Sequence, residues 1–223
     1  MTAAPALALY GHPFSSYTWK AQIALDAAGI EPEFRIIDPN HPENYAFVTT
    51  QGGPFGLFPV LVDGGEVIFE ATSIIEYAHV RLSPQVSLLP SDPDAALCAR
   101  MLDRVFDNYV MAPMQAVVNE YLRDRVHPDA TRVAESRAKL RKSYAWLEGW
   151  LPSYHQAPDR VTLIECAAAP SLFYADWVEP IADAFPRLKA WREHLLALPP
   201  VSRCVEAARP YRSGFPLGAP DRD

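Results

Sequence analysis

The chain has 223 residues, 49% of them apolar and 21% charged, with a net charge of −7. That balance fits a folded globular chain of one large domain or two small ones, and the negative charge argues against nucleic acid or an anionic membrane as the main partner. Three cysteines, Cys98, Cys166 and Cys204, are too widely spaced for a metal site and suit a reducing cytoplasm.

At the start of the chain, "MTAAPALALYG" lacks the basic stretch that opens a secretory signal. No later run approaches the roughly 20 apolar residues of a membrane span. Ala6 to Tyr10 reads as a buried strand. Ser16 to Ala28 reads as a helix, because Trp19, Ile23 and Ala27 recur every four residues and Gly29 stands where a C-terminal cap belongs. "EFRIID" is a second strand and "PENYAFVTT" a short helix. "PVLVDGGEVIFE" reads as a hairpin around Asp63-Gly64-Gly65, followed by a helix in "ATSIIEYAHVRL". The order is βαβ, then a short α, then a ββ hairpin and α. A parallel first pair and an antiparallel second pair predict a mixed sheet.

The proline-rich run "LSPQVSLLPSDPDA" reads as a linker. Beyond it every pattern is helical. Ala95 to Arg123 is one long helix or two with a break near Pro113, and Asp129 to Leu151 is another. "TLIECAAAPSLFYADWV" is nearly all apolar and predicts a buried central helix, opened by a capping box of Thr162 and Glu165. "PRLKAWREHLLAL" and "VSRCVEAA" complete a helical half, with an irregular tail "RPYRSGFPLGAPDRD". The expected division is residues 1–82, a linker over 83–94 and a helical domain over 95–223.

Four stretches, in this order, resemble the cytosolic glutathione transferases. "LYGHPFSSYTWKAQIAL" is similar to the serine-type segment of the zeta class. "GPFGLFPVL" resembles the stretch around the family's cis-proline, "FEATSIIEY" its ESxAIxxY segment, and "TLIECAAAPSLFYADWV" the core helix of its second domain. The resemblance spans nearly the whole chain. It implies a thioredoxin-like α/β N-terminal domain and an all-α C-terminal domain, working as a cytoplasmic homodimer on glutathione and a small electrophile, without metal.

It also implies a chemistry. A free thiol ionises near pH 8.5, so only a few per cent is thiolate at neutral pH. A hydroxyl donating to sulfur, at the positive end of a helix dipole, favours the charged form. Ser15 matches the family's catalytic serine and Ser16 is the neighbouring candidate, while either could simply cap the helix. Tyr10 and Tyr17 are the runner-up hydroxyls. The resemblance further assigns Phe58 and Pro59 to the peptide backbone of glutathione and Glu70 to its γ-glutamyl ammonium. Ala71 departs from the family's serine, leaving helix N–H groups and Thr72 for the γ-glutamyl carboxylate. Leu57 stands where a polar residue is common, so His41 or Asn44 is expected to hold the glycyl carboxylate. Tyr109, Met111, Met114 and Tyr121 are expected either to line an electrophile pocket between the domains or to belong to the core. The alternatives to conjugation are glutathione-dependent cis–trans isomerisation and a non-catalytic interaction or stress-response module.

Overall fold

The structure is a computed structural model and describes residues 7–83, 85–155, 157 and 159–223. Ala6, the expected start of the first strand, and Pro84, in the expected linker, lie outside the described residues.

Four short apolar runs make one sheet, β1 (Leu7–Gly11), β2 (Glu33–Ile36), β3 (Val60–Asp63) and β4 (Glu66–Phe69), in the order β2-β1-β3-β4. β1 and β2 run parallel, with Leu9 opposite Phe34, because helix α1 (Ser16–Ala27) crosses between them. β3 joins β1 antiparallel, with Leu9 opposite Leu61, and Gly64-Gly65 turns β3 into β4. The sheet is mixed, as the sequence predicts. Helix α2 is Pro42–Thr50, and α3 is Ala71–Tyr77, continued by a π-helical turn over Ala78–Leu82.

The second half is helical: α4 (Pro93–Val105), α5 (Ala112–Arg123), α6 (Ala130–Trp150), α7 (Leu163–Val178), α8 (Pro186–Ala197) and α9 (Pro199–Ala208). No break occurs at Pro113. Instead α4 passes into α5 through a π-helical segment, Phe106–Met111. Pro113 has no N–H to give the carbonyl of Tyr109 four residues back, and that carbonyl accepts the Ser143 hydroxyl of α6 at 2.6 Å. The expected irregular tail begins as a 3-10 turn, Arg209–Gly214.

Every residue of α7 is buried, so it has no polar face and forms the axis of the molecule. Its capping box is present: the Thr162 hydroxyl accepts the Ile164 N–H at 3.3 Å, and Glu165 accepts the Thr162 N–H at 2.8 Å. One apolar core runs from Leu9 of β1 through Trp19 and Ile23 of α1 to Phe173 and Trp177 of α7. The sheet domain and the helical domain are therefore welded along α1 and α7.

Candidate functional site

The turn between β1 and α1 is held from several sides. Gly11 leaves no room for a side chain, since a Cβ there would lie 2.5 Å from Cγ2 of Thr18. The Ser15 N–H bonds back to the His12 carbonyl at 2.9 Å. The indole N–H of Trp19 donates to the Pro13 carbonyl at 2.6 Å, and the Tyr174 hydroxyl, reaching from α7, donates to the Phe14 carbonyl at 3.1 Å. The turn is thus fixed by both domains, with Ser15 at its end.

Ser15 is the N-cap of α1, and its Oγ accepts the Thr18 N–H at 3.3 Å. Accepting uses a lone pair and leaves the hydroxyl proton free. Capping and donation to a ligand are therefore compatible at this one residue. Ser16 is the first residue inside the helix and is buried.

Two cavities meet here. One, of about 300 Å³, is lined by Ser15, Ser16, Phe14, Met114, Val118 and Phe215 among others. The second, of about 330 Å³, includes Gly53, Leu57, Pro59, Glu70, Ala71 and Arg104 in its lining. Tyr17 and Phe58 line both, so the two are halves of one cleft. The Phe58–Pro59 bond is cis and leads directly into β3. Glu70 sits at the head of α3 with φ of 70°, a left-handed conformation that is strained in a residue with a Cβ.

Behind the second cavity lies a charge network. Lys20 of α1 is wholly buried and pairs with Asp103 at 2.5 Å and Asp107 at 2.8 Å. Arg104 also pairs with both carboxylates, through Nη2. Two cations thus balance two carboxylates, and the carboxylate of Glu70 is left without a hydrogen-bond or ion-pair partner among the described residues. Nη1 of Arg104 is likewise without one among the described residues. The Tyr17 hydroxyl is pushed up to about 12, first by burial and then by Asp107 and Glu70, so it stays a neutral phenol.

The cleft collects Ser15, Ser16, Phe58, Pro59, Glu70, Ala71 and Met114 from the sequence candidates. Seven other candidates lie outside it. His41 bonds Asp38 at 2.8 Å, ahead of α2, and lines neither half of the cleft. The Asn44 side chain is spent on the Ile36 carbonyl at 2.8 Å. The Thr72 hydroxyl turns to Asp103 at 3.0 Å, away from the cleft. Met111, the last residue of the π-helical segment, is fully buried, which is the core alternative expected for it. Tyr109 is exposed and lines a separate hollow with Trp146 of α6. Tyr121 packs on the core and Tyr10 stacks on Phe47, both outside the cleft. Sequence reasoning missed His12, Arg104, Asp107 and Phe215. Only the "HPFSS" string placed one of them, His12, beside a recognised candidate.

A thioredoxin-like sheet domain with a cis-proline strand entrance, fused to a helical domain across a two-part cleft, defines the class of this molecule. The family model for the glutathione S-transferase N-terminal domain matches residues 9–83, and that for its C-terminal domain matches residues 98–199. Glutathione S-transferase 3 of Zea mays is 30% identical over 215 residues, covering 90% of this chain and 94% of that protein. Glutathione S-transferase 1 of Dianthus caryophyllus is 27% identical over 201 residues, covering 84% and 86%. A solved glutathione S-transferase of Methylobacterium radiotolerans, in complex with glutathione sulfonate, is 26% identical with a TM-score of 0.72, covering 89% and 94%. The chain belongs to the glutathione S-transferase family.

Proposed function

We propose that this chain is a glutathione transferase of the serine type, in which the Ser15 hydroxyl stabilises the glutathione thiolate for attack on a small apolar electrophile. The observation that carries this reading is the state of Ser15: its oxygen caps α1 while its proton is free, in the half-cavity that Tyr17 and Phe58 join to the other. A thiol beside Ser15 would have a peptide-suited polar half on one side, across Tyr17 and Phe58, and an apolar half suited to an electrophile on the other. Catalysis comes from charge stabilisation and proximity, with no protein nucleophile.

In the polar half, the backbone of Phe58 beside cis-Pro59 pairs with the cysteinyl unit as an added strand. The unpartnered Glu70 carboxylate takes the γ-glutamyl ammonium. Arg104 supplies the cation for the γ-glutamyl carboxylate, replacing the hydroxyl that Ala71 lacks. In the apolar half, Phe14, Met114, Val118 and Phe215 form the electrophile wall. The chain divides into domains at the expected linker, which ends at residue 92, since α4 starts at Pro93 rather than after residue 94.

The assembly is a cytoplasmic two-fold homodimer, pairing the sheet domain of one copy with the helical domain of the other. Exposed Phe55 and Leu57 on one domain, and exposed Leu97, Met101 and Tyr109 on the other, support it. Cys98, Cys166 and Cys204 are free thiols, and no described helix is long and apolar enough to cross a membrane.

Glutathione-dependent conjugation of an aryl halide, followed with the purified protein, tests the activity. Turnover that requires glutathione is expected. No turnover above the uncatalysed rate, with glutathione bound, would overturn the transferase reading.

A further inference from the structure

His12 stands in the electrophile half of the cleft with a fixed proton. His12 lines the same cavity as Ser15 and Met114. Its backbone is pinned at both ends: the N–H donates to Oγ1 of Thr18 at 3.3 Å, and the carbonyl accepts the Ser15 N–H at 2.9 Å. The ring meets Tyr211 edge-on at 4.6 Å. The Phe14 N–H donates to Nδ1 at 3.0 Å.

That last bond decides the chemistry. A nitrogen that accepts a hydrogen bond carries no proton, so the neutral ring bears its proton on Nε2. Burial pushes the pKa of His12 below the ordinary histidine value, with Asp38 acting weakly the other way, so the neutral ring prevails at neutral pH. Nε2 has no hydrogen-bond partner among the described residues. The side chain is therefore a donor with no lone pair to spare. It cannot serve as the base for the thiol.

We propose that Nε2–H of His12 hydrogen-bonds the carbonyl oxygen of an α,β-unsaturated carbonyl substrate and selects conjugate acceptors as electrophiles. The proposal rests on the transferase reading. In such an addition the thiolate sulfur bonds the β-carbon, and the carbon–carbon π pair shifts to form an enolate. The negative charge then lies on the carbonyl oxygen. Water protonates the α-carbon, and the hydroxide left takes the proton that the thiol released on ionising, so the net change is addition of the thiol across the double bond, with nothing oxidised or reduced. The serine is occupied by sulfur, and the electrophile wall is largely apolar, so the developing oxyanion needs another donor. A neutral imidazole held in one tautomer serves without giving up its proton. Displacement of an alkyl halide puts the charge on the departing halide and makes no such demand at a carbonyl position.

The test compares kcat/KM for phenyl vinyl ketone and for benzyl chloride, each with glutathione, in the unaltered protein, His12→Phe and His12→Gln. The ratio of the two constants is read within each preparation, so a partly unfolded sample cancels. His12→Phe is expected to lower the ketone-to-chloride ratio about tenfold or more, as loss of a transition-state donor does. His12→Gln, which keeps an N–H at a similar reach, is expected to recover part of the ratio. An unchanged ratio in His12→Phe would overturn the assignment while leaving the transferase reading intact. Failure of the unaltered protein to conjugate either substrate would overturn both.

Discussion

Lys20 of α1 reaches Asp103 of α4 at 2.5 Å, and both side chains are almost completely withdrawn from water. A buried ion pair contributes little net stability against an apolar pair, but removing one member strands the other. Lys20→Met should therefore destabilise the chain by about 3–5 kcal/mol, toward the lower end because Arg104 still faces Asp103. Urea denaturation measures it, and Lys20→Met combined with Asp103→Leu should recover most of the loss. A single variant as stable as the parent would show that the pair does not join the domains.

Arg104 and Ala71 flank the same wall of the cleft. Arg104→Gln should weaken glutathione binding about tenfold or somewhat more, since a hydrogen bond to a charged group is worth roughly 1.5–3 kcal/mol and a decade about 1.4. Ala71→Ser should tighten binding by a comparable factor and offset part of the Arg104→Gln loss. Titration calorimetry on the four proteins decides it. Unaltered affinity in Arg104→Gln would place the γ-glutamyl carboxylate elsewhere.

Much of the fold was legible because its signals are local. The hairpin needed only Gly64-Gly65, the capping box only Thr162 and Glu165, and the buried axis only the apolar run of α7. Ser15 was legible as both cap and donor, but the sequence could not say that the two roles coexist. That depends on which N–H reaches Oγ. Tyr109 and Met111 were offered by residue type alone, and residue type does not say which side of the helix faces the cleft. Met111 ends the π-helical segment buried in the core, while Met114, one turn on, reaches the cleft. Arg104 of α4 and Asp107 of the π-helical segment carried no motif, since they come to the cleft only through the tertiary charge network with Lys20 of α1. Phe215 lay in a tail without periodicity and became a wall through packing on Phe14 and Trp177.

Four buried or half-buried tyrosines resist ionisation in the fold. Tyr17 is raised to about 12, and Tyr144, Tyr154 and Tyr174 are also raised, each first by burial. Above pH about 10 the unfolded chain loses tyrosine protons that the folded chain keeps. The unfolded state then binds fewer protons, so stability falls as pH rises. Tyr17→Phe should make that fall shallower between about pH 10 and 12, relative to its own stability at neutral pH. Thermal unfolding across this range measures the slope, and an identical slope would mean Tyr17 ionises freely in the fold.

The hydroxyl of Ser15 is the hinge of the catalytic reading, and its effect on sulfur can be read directly. Ultraviolet difference titration follows the thiolate of glutathione bound to the unaltered protein, to Ser15→Ala and to Ser16→Ala. The bound thiol should ionise well below the free value of about 8.5 in the unaltered protein and in Ser16→Ala. In Ser15→Ala it should return toward that value, with kcat/KM for conjugation lower by on the order of 10²–10³. The same thiol pKa in the unaltered protein and Ser15→Ala, with glutathione bound to both, would contradict the role assigned to Ser15.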